Sequence, residues 1–399
     1  MAQASRAPYL VLSAAFVLGF FVFDSLFVVS PMIPFIMNDF SLSFSSAGLL
    51  FSVPIGLLVV TSFFAGVLTD KLGVRKTAGI GAILLAIGSP ARAISQNFLT
   101  LLLFTSLLGA TYGFLLPSFT KMASGWFPPR MLGKVTSVYV SGFYLGGAFG
   151  TSATIPLLFP LTSSWRGTVL VTGAISVVAA ILWWLLAKEP PERLDAEKKV
   201  VHVERSAWLN RTTIFLAVIM TIENVHFYAL GTWLPTFLTE KGAGTASGLI
   251  GSLLLYAAIP ANFLLPILSD SIGRRKPIVW IGAIINGGAF VLLAPSSVLL
   301  LPVLISTLGV TLVCFFTMIF IVAPEAFEYN ALGRAMGFIV SVGFVGGVVG
   351  PYAAGLIRDL TGSFANLFII EAALSLTVAF LAFGLPETGS RRAIKDAEA

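Results

Sequence analysis

Residues 66–77, GVLTDKLGVRKT, place Asp70, Lys71, Arg75 and Lys76 within seven residues of a chain that is 57% hydrophobic and only 11% charged. The stretch returns in altered form as PILSDSIGRRKP at residues 266–277. Long apolar runs flank both copies, so each reads as a charged hairpin between two membrane-crossing helices. Its return 200 positions later reads as a chain built from two similar halves.

The composition around the hairpins agrees. With 399 residues and a mean hydropathy of +0.95, the chain reads as a polytopic membrane protein rather than as two or three soluble domains. Runs long enough to cross roughly 30 Å of hydrocarbon fall near residues 9–36, 46–68, 77–95, 98–120, 134–159 and 168–187. Six more fall near 212–238, 246–268, 278–294, 298–322, 335–357 and 364–385. Backbone groups in lipid must be satisfied within the segment, and the alternation of a barrel strand is nowhere evident, so the runs are read as helices. Cys314, the single cysteine, lies in the tenth run and excludes an internal disulfide.

Counting Lys and Arg by alternate loops orients the chain. With the N-terminus inside, 20 of the 24 fall on the cytoplasmic side, Arg166, Lys241 and Arg358 fall outside, and Arg92 lies within a span. Both termini are therefore expected in the cytoplasm of a plasma-membrane protein. The net charge of +6 reflects this topology and an anionic inner leaflet, not nucleic acid.

The offset of 200 also aligns Gly48 with Gly248, Gly73 with Gly273, Ser141 with Ser341, and Gly146, Gly147 and Gly150 with Gly346, Gly347 and Gly350. Residues 1–187 and 212–399 are thus expected as six-helix bundles, joined by a cytoplasmic linker over 188–211 that carries six basic and five acidic residues.

On these hairpins and this repeat the whole chain resembles the major facilitator superfamily, whose signature between its second and third spans reads GxxxDRxGRR. The resemblance implies an all-α integral membrane protein with 12 transmembrane helices in two pseudo-symmetric six-helix bundles. It also implies alternating access around a cavity between the bundles, a monomer, and no cofactor. Asp70, Gly73, Arg75, Asp270 and Arg275 match the positions thought to latch the halves on the inner side. Glu325, Glu328 and Arg334 are expected to pair with the second hairpin. Lys71, Lys76, Arg274 and Lys276 read as topology determinants. A second signature of the superfamily, an arginine in span 4, is missing; Thr105 stands near its place. The glycines of span 5 read as close helix packing.

Ionisable residues inside spans are functional candidates by default. Asp24 lies midway along span 1, and Glu223, Asn224 and His226 midway along span 7, its repeat partner. In the superfamily these two spans line the cavity from opposite halves, so the groups are expected to approach one another. Glu223 and His226, three apart, share a helical face and could carry a proton, contact solute, form an interhelical cluster, or hold a divalent cation. Thr111, Tyr112, Tyr228 and Thr311 are candidate polar lining. Arg92 is expected to snorkel outward on a peripheral helix, yet stays a candidate counter-charge for an anion, as does Lys121. Glu371 in span 12 is expected to be peripheral.

GWFPPRMLGKV after span 4, SSWRG before span 6, FYALGTWLPTFL in span 7 and GPYAAGLIRDLTGSF around span 11 look like the cyanate-permease and organic-anion groups of the superfamily. This implies proton-coupled uptake of a small organic anion. The cavity residues argue the other way: no lining span has a mid-membrane Lys or Arg, and Asp24 and Glu223 suit a cation. Proton-coupled efflux of lipophilic cations or drugs stands as the alternative, with divalent metal transport a distant third. No catalytic triad, HExxH spacing or nucleotide-binding loop occurs, so an enzyme is not expected.

Overall fold

The computed structural model describes residues 6–128, 131–190 and 209–388. Most of the expected linker, the C-terminal tail and the Pro129-Arg130 pair of the GWFPPRMLGKV segment lie outside the described residues. Among the described residues, twelve helical stretches are long and apolar enough to cross a membrane. They are α1 (Ala7–Phe40), α2 (Phe44–Leu72), α3 (Val74–Ile94), α4 (Phe98–Trp126), α5 (Leu132–Thr162), α6 (Trp165–Leu186), α7 (Arg211–Glu240), α8 (Gly244–Ile272), α9 (Lys276–Leu293), α10 (Leu301–Ala326), α11 (Ala331–Thr361) and α12 (Ala365–Gly384).

Local chemistry sets their ends. The Ser43 and Ser164 hydroxyls accept the backbone N–H of Ser46 and Gly167 at the starts of α2 and α6. Asn97 and Thr100 form a reciprocal capping box at α4. Two of the long stretches change winding at a proline: α1 tightens to a 3₁₀ turn over Ser30–Met32 around Pro31, and α5 widens to a π turn over Thr154–Leu158 around Pro156.

The chain divides into two compact units, Met1–Glu197 with Leu234–Ser252, and Lys198–Trp233 with Leu253–Ala399. The first unit takes in a segment that starts beside Pro235 of α7 and ends within α8. Within it α1 packs on α5 and α6, α2 on α4, and α3 on α4 and α6. In the second, α9 packs on α12 and α10. Pairings of α3 with α6 and of α9 with α12 occupy the same places in the repeat.

Glycines fix the closest approaches, and they too repeat. A Cβ on Gly109 of α4 would stand 1.8 Å from the Pro54 carbonyl oxygen of α2, and one on Gly309 of α10 would stand 2.1 Å from that of Leu254 in α8. On Gly146 of α5 and Gly346 of α11 the added atom would lie 1.9 Å from the carbonyls of Phe20 and Thr221. Lipid offers no hydrophobic drive between helices, so backbones this close gain from van der Waals contact that any larger residue would forbid.

Candidate functional site

The two charged hairpins are built alike but bonded differently. Gly73, at φ +86°, turns the chain between α2 and α3, a conformation that costs a residue with a Cβ. The backbone N–H groups of Val74 and Arg75 at the start of α3 donate to Glu189 at 2.8 and 2.9 Å. Arg75 donates to the Trp184 carbonyl at 2.7 Å, and Trp183 donates back to the Arg75 carbonyl at 3.0 Å. Glu189, expected only as the opening of a linker, therefore caps α3 and fastens α6 to it. Asp70 pairs with Lys121 of α4 at 2.9 Å, and Lys121 also donates to the Thr69 carbonyl at 2.9 Å.

In the second hairpin Arg275 gathers the charges. It donates to Asp270 and to Ser269 Oγ, each at 2.7 Å, and to both oxygens of Glu325 at 2.7 and 3.2 Å. Hydrogen bonds from Arg275 to Glu325 and then Asp270 hold the guanidinium above its usual range, against the opposing effect of burial. Its backbone N–H meets Glu387 at 2.6 Å, just after α12, as Glu189 meets α3 just after α6. Arg334 is exposed.

At the other end of the first unit the SSWRG segment acquires a physical role. Trp165 Nε1 donates to Asp39 at 3.1 Å, Arg166 bonds the same carboxylate and the Ser95 carbonyl, and its guanidinium lies 4.3 Å from the Trp165 ring. These contacts tie the ends of α1 and α3 to the start of α6.

Mid-span, each unit holds one cluster of buried polar groups. In the first, Asp24 is 2% exposed, and its Oδ1 has no hydrogen-bond partner among the described residues. Arg92 does not snorkel: it is fully buried, donating to the Ser25 carbonyl at 2.6 Å, the Ser89 carbonyl at 3.1 Å and Ser89 Oγ at 3.0 Å. Ser89 donates in turn to Ser25 Oγ at 2.8 Å. Arg92 thus links α3 to α1 next to Asp24, which its place on a peripheral helix had not suggested.

In the second unit Glu223, Asn224 and His226 are all buried, but they do not act as one group. Asn224 folds back to donate to the Met220 carbonyl at 2.8 Å on its own helix. Glu223 Oε2 has no hydrogen-bond partner among the described residues. His226 turns to α12, where Glu371 is buried too; it is not peripheral. Among the described residues no three His, Cys, Asp or Glu side chains converge to hold a metal ion.

The hydroxyl candidates serve packing. Thr111 donates to the Gly81 and Leu107 carbonyls, and its repeat partner Thr311 accepts from Asn286 of α9 at 2.7 Å. Both tie a fourth helix of a unit to its third. Thr311 also borders an open groove of about 590 Å³ with Ile285, Pro302 and Val303, which is apolar and of the kind a lipid-facing surface presents. Tyr112 sits edge-on to Phe23 at 5.1 Å and against Phe143, while Tyr228 is 2% exposed and edge-on to Phe227.

Twelve spans among the described residues and a charged hairpin repeated at a constant offset define a multi-pass membrane protein. The profile of the Major Facilitator Superfamily matches residues 15–259 and 240–398, and the chain belongs to that family. It is similar to the hexuronate transporter of Bacillus subtilis (strain 168), at 26% identity over 89% of this chain and 90% of that one. The gentisate transporter of Corynebacterium glutamicum is 26% identical over 86% of this chain and 81% of its own. Among solved structures, a bacterial homologue of the human lysosomal transporter Spinster, inward-facing and occupied, superposes with a TM-score of 0.79 at 16% identity, covering 96% of this chain and 97% of that one. The protein is a solute transporter and not an enzyme.

Proposed function

We propose that the protein takes up a small organic anion together with protons, across a plasma membrane in which both of its termini face the cytoplasm. The observation that carries the reading is the first unit's buried cluster, in which the fully buried Arg92 donates to the carbonyl of Ser25, the residue next to Asp24, whose Oδ1 has no hydrogen-bond partner among the described residues. With Asp24 ionised, the pair is neutral. With Asp24 protonated, the Arg92 charge stands uncompensated in a medium of low dielectric, where a charge acts far more strongly than in water. A solute carboxylate restores neutrality, so proton and anion each favour the other's binding. Glu223 offers a second protonatable carboxyl in the other unit. The hexuronate and gentisate carriers among its relatives handle solutes with such a carboxylate.

The reading is tested on the full chain in proteoliposomes with a labelled hexuronate and with gentisate. An inside-alkaline pH gradient is expected to drive accumulation of at least one of them. Asp24→Asn is expected to abolish the response to the gradient while solute exchange without a gradient persists. A second reading, efflux of a lipophilic cation against protons, draws on the fact that Arg92 and Lys121 already spend donors on Ser25, Ser89, Asp70 and Thr69. Failure of both anions to move, with a lipophilic cation driven out by the gradient, would replace the first reading with the second.

A further inference from the structure

His226 and Glu371 meet inside the second unit, 145 residues apart in sequence and on different helices, α7 and α12. Both are essentially inaccessible, at 0% and 2% exposure. His226 Nε2 lies 3.1 Å from the Glu371 carbonyl oxygen and 3.2 Å from its carboxyl Oε2. The hydrogen bond goes to the carbonyl. Oε2, though within reach, has no aligned donor, and His226 Nδ1 has no partner among the described residues. Phe290 of α9 packs on the imidazole with ring centroids 4.9 Å apart, and Phe368 of α12 stacks on Phe290. Ser375, one turn beyond Glu371, lies 2.9 Å from the same carbonyl and 2.7 Å from Asn286 Oδ1.

Packing alone does not account for this arrangement. The His226 hydrogen bond to a carbonyl would hold α7 to α12 whatever side chain stood at 371, and the carboxyl would then be an uncompensated burden. A buried polar atom without a partner is costly, and a buried carboxylate without a cation more so. Apart from Glu223, whose Oε2 has no hydrogen-bond partner among the described residues, the titratable side chains on the surrounding helices are engaged elsewhere or lie near helix ends. On α7 there is Glu223, one turn before His226. On α9, Lys276 donates to the Phe383 carbonyl, and on α10, Cys314 donates to the Ile278 carbonyl while Glu325 holds Arg275. On α11, Tyr352 stands with Arg358 and Asp359 in the second half of the helix and Arg334 at its start. On α12, Glu371 is the only charged residue. A proton is what the pair lacks.

We propose that His226 and Glu371 form a proton-binding site in the second unit, separate from Asp24 and Glu223. One proton makes the pair neutral, either on the Glu371 carboxyl beside a neutral imidazole, or on His226 as an imidazolium facing the carboxylate. The second form places the extra proton on Nδ1 and leaves Nε2–H to turn from the carbonyl to the Oε2 carboxylate, two acceptors it already reaches. Release of the proton to water leaves a lone carboxylate between α7 and α12, which hydration alone can accommodate. The occupied site therefore holds the two helices together, and an empty one favours their separation. This goes beyond the uptake reading, because the proton is held whichever solute is carried.

Infrared difference spectroscopy on the full chain in lipid, titrated with pH, tests the site directly. A protonated carboxyl gives a carbonyl stretch that an ionised one lacks. Wild type is expected to show such a band that disappears as pH rises and that is absent in Glu371→Gln. It should persist in Asp24→Asn and in Glu223→Gln, which leave this pair untouched. In His226→Gln, which can still donate to the carbonyl but cannot ionise, the band is expected with its midpoint displaced by a tenfold or greater change in proton affinity. That variant alone decides the matter if Glu371→Gln does not fold. A spectrum in which Glu371→Gln retains every titrating band, a Glu371 band that never titrates, or a midpoint indifferent to His226→Gln would each overturn the proposal. Gradient-driven uptake that Asp24→Asn leaves unchanged, with the Glu371 band intact, would sink the uptake reading and leave this one standing.

Discussion

Arg92 brings a full charge into the interior of the first unit, where three oxygen acceptors take its hydrogen bonds and the buried Asp24, next to one of them, is the proposed counter-charge. Removing one member of a buried charge pair strands the other, at about 3–5 kcal/mol in proteins generally. Arg92→Met is therefore expected to lower the melting temperature of the purified carrier, and Asp24→Asn to lower it too, since each leaves the other charge alone. In the double variant no charge is stranded, so its loss should be smaller than the sum of the two, by a coupling of about 1–3 kcal/mol. Thermal unfolding of the four proteins in one detergent decides it; strictly additive losses would show that Asp24 and Arg92 do not sense each other. The sequence made Asp24 legible because an aspartate midway along an apolar run has no bland explanation. Arg92 and Glu371 were misplaced for a shared reason. A helix in water shows its buried face by periodicity, whereas in lipid both faces are apolar and the face that carries a charge inward is not written in the local pattern.

At the scale of the element, glycines set the closest helix contacts and carboxylates just past α6 and α12 bond the starts of α3 and α9. The repeat of close approaches, Gly146 on Phe20 and Gly346 on Thr221, was legible as a constant offset, because a glycine that admits a backbone leaves a fixed mark in sequence, whereas the Gly109 and Gly309 pair was not read. Glu189 and Glu387 were not, since each sits in a charged segment just past a helix and reaches back to a helix start more than a hundred residues earlier. The glycines give a paired prediction. Gly309→Ala puts a methyl 2.1 Å from a carbonyl oxygen and should force α10 off α8, with a severe loss of monodisperse protein on size-exclusion chromatography. Gly333→Ala meets nothing within 4 Å near the start of α11, and should be neutral or stabilising by up to about 1 kcal/mol through better helix propensity. Equal behaviour of the two variants would mean that the close approach is not what Gly309 provides.

For the whole molecule, the proposed direction rests on the distribution of charge. Lys and Arg cluster at alternate ends of the spans, around Lys71–Lys76, Lys121–Lys134, Arg274–Lys276 and in the segments after α6 and α12, while the opposite ends carry Arg166, Lys241 and Arg358. An anionic inner leaflet and the insertion machinery both retain the basic ends inside. The chain is well suited to a direct test, because its single cysteine, Cys314, is buried and donates to the Ile278 carbonyl. Wild type is therefore expected to resist a membrane-impermeant maleimide applied to intact cells. A cysteine introduced by Leu161→Cys, at an 83% exposed position near the end of α5 and beside the Arg166 clamp, should label from outside without permeabilisation. One introduced by Lys71→Cys, in the hairpin between α2 and α3, should label only after the membrane is opened. The reverse pattern would invert the carrier in the membrane, and with it the sense of uptake: the pH gradient that is proposed to draw an anion inward through Asp24 and Arg92 would then have to be reassigned to export.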